Sequence, residues 1–179
     1  MTEAWKNPSQ LLENSGIRGI FIITNDGFPL IVREYGDPIK ATISEQFLLS
    51  GFLSAVSRFV IDQVAGLLSD MGLHTLRLFF DYTEELIFLM AVEEARIQLL
   101  STYELRTLFK GTLAEAKSAI SEYFSGYSES IASLVKNPEA FEKIRQDLST
   151  VGIAIDRLVY KSYNEMMEML QGVRDTGTH

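Results

Sequence analysis

No cysteine occurs among the 179 residues, which excludes disulfides, thiolate metal sites and cysteine nucleophiles and fits a reducing compartment. Histidine is nearly as scarce, with two copies, of which His179 is the last residue. The other, His74, stands at the start of an expected strand, with no neighbour in sequence that would make it a base or a ligand. Basic charge is also short: 16 Lys and Arg face 24 Asp and Glu, a formal charge of -8. A chain of that sign has no cationic excess with which to release counterions from phosphates, so nucleic acid is not an expected partner. An anionic membrane surface is disfavoured on the same ground. No window holds about 18 consecutive apolar residues, so no transmembrane segment is expected. The opening MTEAWKNPSQ lacks a basic flank followed by an apolar run, so no signal peptide is expected and a cytoplasmic location is.

Motifs that carry chemistry are missing as well. There is no G-x-G-x-x-G, P-loop or G-x-S-x-G pattern. Gly16-Ile17-Arg18-Gly19 precedes a strand rather than a helix and lacks the geometry of a phosphate cradle. Glu84-Glu85 and Glu93-Glu94 are adjacent acids that a strand would point to opposite faces, so they suit polar strand ends better than a metal site. The expectation is a non-enzymatic protein with no catalytic, cofactor-binding or metal-ligating residues and no cofactor.

What the sequence does contain is pattern. Its length and its 46 % hydrophobic content suit one well-buried domain. Asn7-Pro8-Ser9-Gln10 has the form of a helix start, and Asn14-Ser15-Gly16 ends that helix within two turns. Ile17 to Thr24 (IRGIFIIT) is a β-branched and aromatic strand. Asn25-Asp26-Gly27 is turn chemistry, and Phe28 to Tyr35 returns as the second strand of a hairpin. Pro29 cannot donate to a ladder, which places it at an edge or a bulge.

Thr42-Ile43-Ser44-Glu45 is a capping box for a long helix over 42–71, with Gly72 at its C′ position. Leu49, Leu53, Val56, Val60, Val64, Leu67 and Met71 form one stripe on it; Leu48, Phe52, Ala55 and Phe59 form a second. Gln46, Ser50, Ser54, Ser57 and Arg58 make a narrow polar strip. A helix so apolar must be covered on more than its sheet side, by the C-terminal helices or by another chain. Leu73 to Tyr82 alternates, with Leu76, Leu78 and Phe80 on one face, and Leu86 to Val92 (LIFLMAV) suits a strand buried on both faces.

The remainder reads as helix. Ser101-Thr102-Tyr103-Glu104 is a capping box, Gly111 and Gly126 are possible breaks, and Asn137-Pro138 closes one helix and opens the next. Phe141, Ile144, Leu148, Val151, Ile155 and Leu158 follow a heptad seam that slips at Ser162 and resumes with Met166 and Met169. On that pattern Ile155→Asp is expected mainly to disturb helix pairing. The fold class is α+β: an antiparallel sheet of four or five strands in β-β-α-β-β order, a long central helix and a long C-terminal helical hairpin. One domain over 1–172 is expected, with its sheet-and-helix core at 16–94, a helical extension at 97–172 and a mobile tail at 173–179.

Gly19-Ile20-Phe21-Ile22-Ile23-Thr24-Asn25-Asp26-Gly27-Phe28-Pro29-Leu30 resembles the first hairpin of longin-like proteins of archaea related to eukaryotes, within the longin and roadblock (profilin-like) superfamily. Leu49-Ser50-Gly51-Phe52-Leu53-Ser54-Ala55-Val56 and the run from Ile87 to Val92 extend the resemblance over roughly residues 16 to 94. That family usually has five strands, with two hairpins after the long helix, whereas Leu73 to Val92 has comfortable room for two strands and for three only if each is very short. The resemblance implies a protein partner: self-association as a dimer, or docking to a small GTPase or a trafficking or regulatory complex through the sheet edge and long helix. The family has no universal ligand residues to carry over. The alternative is a small-molecule sensor with a pocket between sheet and helices.

Overall fold

The computed structural model describes residues 8–36, 51, 54–55, 58, 69–73 and 75–176. Its elements are α1 (Pro8–Leu11), β1 (Ile17–Thr24), β2 (Pro29–Glu34), β3 (Asp70–Leu73), β4 (Leu76–Tyr82), β5 (Leu86–Glu93), α2 (Glu94–Ile97), α3 (Thr102–Phe124), α4 (Ile131–Lys136) and α5 (Pro138–Thr176). The strands form one antiparallel sheet in the order β2-β1-β5-β4-β3. Five strands are what the longin/roadblock resemblance implies.

The continuous apolar run of β5 belongs at the centre of this sheet. Leu86 to Val92 is buried throughout, flanked by β1 and β4. One sheet face (Ile20, Ile22, Phe79, Phe88, Met90) packs on α3 and α5, making the larger core with Phe109, Leu113, Ile144 and Ile155. The other face is a second cluster of Phe21, Ile23, Leu78, Phe80, Ile87, Leu89 and Ala91. The expected alternation of Leu76, Leu78 and Phe80 holds, since all three belong to this second face.

The β1–β2 hairpin closes as its residues require. The Gly27 N–H donates to the Thr24 carbonyl at 2.9 Å, and Gly27 takes φ 91°, where a side chain would be strained. Pro29 is both at an edge and at a bulge: Ile22 faces Ile31 while Ile23 faces Pro29, leaving Leu30 as the extra residue.

The long central helix falls largely outside the described residues, as do His74, His179 and the capping box at Thr42. Within it, Gly51, Ser54, Ala55 and Arg58 are helical. Ser54, expected on the polar strip, is buried and its hydroxyl donates to the Asn25 carbonyl; Ala55, expected on an apolar stripe, is exposed. The far end of that helix needs correction. Ser69 is not helical and Asp70–Leu73 is β3, so Met71 and Gly72 are strand residues rather than a helix end and its C′ cap. Pairing with β4 decides this: Met71 faces Leu78 and extends the second apolar face, and the Phe80 N–H reaches the Ser69 carbonyl at 3.0 Å.

The helical part follows its caps. Ser101 and Glu104 close a reciprocal capping box on α3, and the Asn137 side chain accepts from the N–H groups of Glu139 and Ala140 at the start of α5. Gly111 lies inside α3 without breaking it, whereas Gly126 sits in the break before α4. Helix α5 runs unbroken past Gly152 and on to Thr176, beyond the point at which a mobile tail is expected from the sequence. The heptad seam also needs correction. The fully buried stripe is Ile144, Leu148, Ile155, Val159, Ser162 and Met166, while Phe141, Val151 and Leu158 are only partly buried. A helix with the plain 3.6-residue period drifts off a 3.5-residue seam, so Ser162 continues the stripe rather than interrupting it.

Candidate interaction surface

The sheet has edges at β2 and β3, and the β3 edge is the candidate surface. At the β2 edge, α5 lies alongside and is held there by Asp156, a carboxylate with 0 % exposure in the middle of the helix. Asp156 Oδ1 accepts from Arg33 Nε at 2.9 Å and from the Tyr35 hydroxyl at 2.8 Å, and its Oδ2 accepts from the second Arg33 nitrogen. Gly152, one turn earlier, lets the arginine come close: a Cβ there would stand 3.4 Å from Arg33 Cδ. The Asp156 carboxylate holds the Arg33 guanidinium above its ordinary pKa. Burial, reinforced by the same carboxylate, pushes the Tyr35 phenol well above its usual 10.

At the opposite edge, β3 ends the sheet. Among the described residues no strand pairs with its outer side. Because the Phe80 N–H bonds to the Ser69 carbonyl, the alternation of an antiparallel ladder turns the backbone of Met71 toward β4 and that of Asp70 and Gly72 outward. The Asp70 side chain points to the helical face instead. It accepts from Arg77 at 2.6 Å and from Arg106 of α3 at 2.9 and 2.6 Å. Lys117 repeats the device one step along, reaching Asp81 of β4 at 2.9 Å. These bonds tie α3 across β3 and β4 and fix the position of β3.

Burial pushes the Asp70 carboxyl up, but the hydrogen bonds from Arg77, Arg106 and Ser69 together hold it below its ordinary 3.8. A carboxyl whose folded pKa is depressed contributes stability that is present above its unfolded pKa and is lost as pH falls through the folded value. We therefore expect an acid limb of unfolding at and below pH 4, and Asp70→Asn should flatten it. Urea midpoints at pH 7 and pH 3 check this; an acid limb of equal size in the variant would place its origin elsewhere.

The hairpin end of the sheet is a structural node rather than a site. Asn25 donates from its side chain to the Glu84 carbonyl at 2.5 Å and from its backbone to the Glu85 carbonyl at 3.0 Å. Glu85 Oε2 accepts from the Ile131 N–H at 2.8 Å, and Lys136 reaches Asp26 at 3.1 Å. The Thr24 hydroxyl holds the Asp26 carboxyl below its ordinary value against the opposing effect of burial, with Lys136 adding to the lowering. At the other end Glu93 pairs with Arg18 and Arg96, and Glu94 with Arg77, so these acids are strand-end ion pairs. Among the described residues no three His, Cys, Asp or Glu side chains converge in a metal-binding group, and no helix is long and apolar enough to cross a membrane.

Asp156, Arg33 and Asp70 do not stand out in the sequence pattern. For Asp156 a signal exists: an acid at i+8 from Leu148 and i−3 from Val159 falls inside the buried stripe. Asp70 is hidden because its segment reads as a helix end.

No protein-family model matches the chain, and no curated protein matches it. Among solved structures it is similar to an MglB with a tetrameric arrangement, at 16 % identity and TM-score 0.46 over 69 % of this chain and 93 % of that one. It is also similar to the gliding protein MglB of Thermus thermophilus, at 15 % identity and TM-score 0.38 over 53 % of this chain and 77 % of that one. The fold assignment rests on the strand order and helix placement given above.

Proposed function

We propose that this chain is a non-enzymatic protein–protein interaction module of the longin/roadblock kind, which self-associates as a dimer or docks to a small GTPase or a regulatory complex. The observation that carries the proposal is the β3 edge. β3 presents the backbone groups of Asp70 and Gly72 outward, and among the described residues no strand pairs with them. An open strand edge is a template for pairing with a second chain. The sensor alternative has less support. The space between the sheet and α3 and α5 is filled by Ile20, Ile22, Phe88, Met90, Phe109 and Ile155, each 0 % exposed.

Gly72→Pro tests the edge directly. It deletes an outward N–H without removing a bond to β4, and a Cβ at Gly72 would meet no atom within 4 Å. Light scattering after size exclusion should show a dimer in the parent chain at micromolar concentration and a monomer in the variant. If the parent is a monomer, pull-down with nucleotide-loaded small GTPases should capture it and lose the variant. A monomer that captures none would count against the proposal.

A further inference from the structure

A second surface lies away from the β3 edge, in the groove where α3 and α5 run antiparallel. Their direction is fixed by Thr112 bonding to Ser162, Glu115 pairing with Lys161, and Tyr123 bonding to Asp147. The groove has a volume of about 350 Å³ and a floor of Leu108, Thr112 and Ser162. Its α3 wall is the row Tyr103, Thr107, Gly111, Glu115, at steps of four on one helix face, and Met169 stands on the α5 wall.

Three features of this groove point to the same occupant. First, Gly111 has no internal explanation. A glycine inside a helix costs about 1 kcal/mol against alanine, and a Cβ at Gly111 would meet no atom within 4 Å. The room it leaves opens into the groove. Second, both hydroxyl protons of the floor are used within the protein. The Thr112 and Ser162 hydroxyls bond to each other, either one donating, and the other donates to the carbonyl one turn back, Leu108 for Thr112 at 3.2 Å or Leu158 for Ser162 at 3.0 Å. Such a floor takes an apolar side chain, with Tyr103, 76 % exposed, as its lip. Third, the rim is acidic. Glu104, Glu115 and Glu165 stand around it against Lys161 alone, whose ammonium pairs with Glu115 at 3.2 Å.

We propose that the groove docks an amphipathic helix from a protein partner, with an aliphatic or aromatic anchor seated over Gly111 and Lys or Arg residues flanking it. From Tyr103 to Glu115 the wall is about 18 Å long at 1.5 Å per residue, enough for three turns of such a helix. The mode is helix-in-groove recognition, and the acidic rim sets its charge preference. It is independent of the β3 edge, so loss of peptide binding here leaves the oligomeric state unchanged.

The test uses the full isotope-labelled chain and three synthetic helical peptides of about 14 residues (roughly four turns). One has Leu and Phe at i, i+3, i+4 and i+7 with Lys elsewhere, the second has Glu in place of Lys, and the third is a scrambled Lys peptide of the same composition. The Lys amphipath should shift the amides of residues 103–115 and 161–169 and bind at least ten-fold more tightly than either control. Gly111→Leu, which fills the groove, should weaken it at least ten-fold, and Gly111→Ala should weaken it less. If Gly111→Leu does not fold, Tyr103→Ala provides the same readout from an exposed position. Equal binding of the scrambled peptide, shifts located elsewhere, or unaltered binding by both Gly111→Leu and Tyr103→Ala would overturn the proposal.

Discussion

Asp156→Ala is expected to destabilise the protein by about 3 kcal/mol, the lower end of what breaking a buried ion pair costs. The carboxylate is fully buried and holds both Arg33 and Tyr35. Its loss leaves the Tyr35 hydroxyl, on a residue only 2 % exposed, without this acceptor. The Arg33 side chain is 30 % exposed and can turn toward water, which is why the upper end of the range is not expected. Asp156→Asn keeps an acceptor and should lose less. In a double-mutant cycle, Arg33→Ala should cost much less in the Asp156→Ala background than alone. Additive losses would mean that the pair is not coupled. An alkaline signature follows from the same site. The Tyr35 phenol has its folded pKa raised, so its contribution is complete below the ordinary value of 10 and is lost as pH rises above it. Tyr35→Phe should remove that alkaline limb.

Ile155→Asp is expected to be the more severe change, at about 4–5 kcal/mol, because it combines the loss of a buried aliphatic side chain with an unpaired charge. Ile155 is 0 % exposed and belongs to the core that joins α3 and α5 to the sheet. The loss should therefore appear as global unfolding, with amide exchange accelerated in β1 and β5 as much as in α5. Leu158→Asp, at a partly buried position, should cost less. If Ile155→Asp left the central strands protected and loosened only the helices, the heptad picture would be right and the placement of α5 on the sheet wrong. That picture treats the stripe as a helix–helix seam; α5 in fact lies across β2 and beside α3 at once, so one residue serves both contacts.

The parts of the fold legible in the chain are those whose signal is local. The Thr24–Gly27 turn, the caps at Ser101 and Asn137, and the both-faces burial of Leu86 to Val92 each follow from residue types within a few positions of one another. β3 was not legible. Asp70-Met71-Gly72-Leu73 has four residues and no alternation of its own, and it extends an apolar helical period closely enough to be taken for its end. Of the candidate surface almost nothing was visible. A strand edge is defined by which strands do not pair with it, and the α3–α5 groove by which side chains are short where two distant helices meet.

The sequence by itself determined the class: an antiparallel α+β sheet, its first hairpin, its central strand and two long C-terminal helices, because propensity, turn chemistry and capping act over a single turn or pair of strands. Only the tertiary structure decided which strands end the sheet. The placement of α5 beside β2 depends on Asp156 meeting Arg33 across 123 positions of chain, a coincidence of register between a helix and a strand that no local pattern encodes. The same holds for β3, which becomes a strand because β4 offers it a partner.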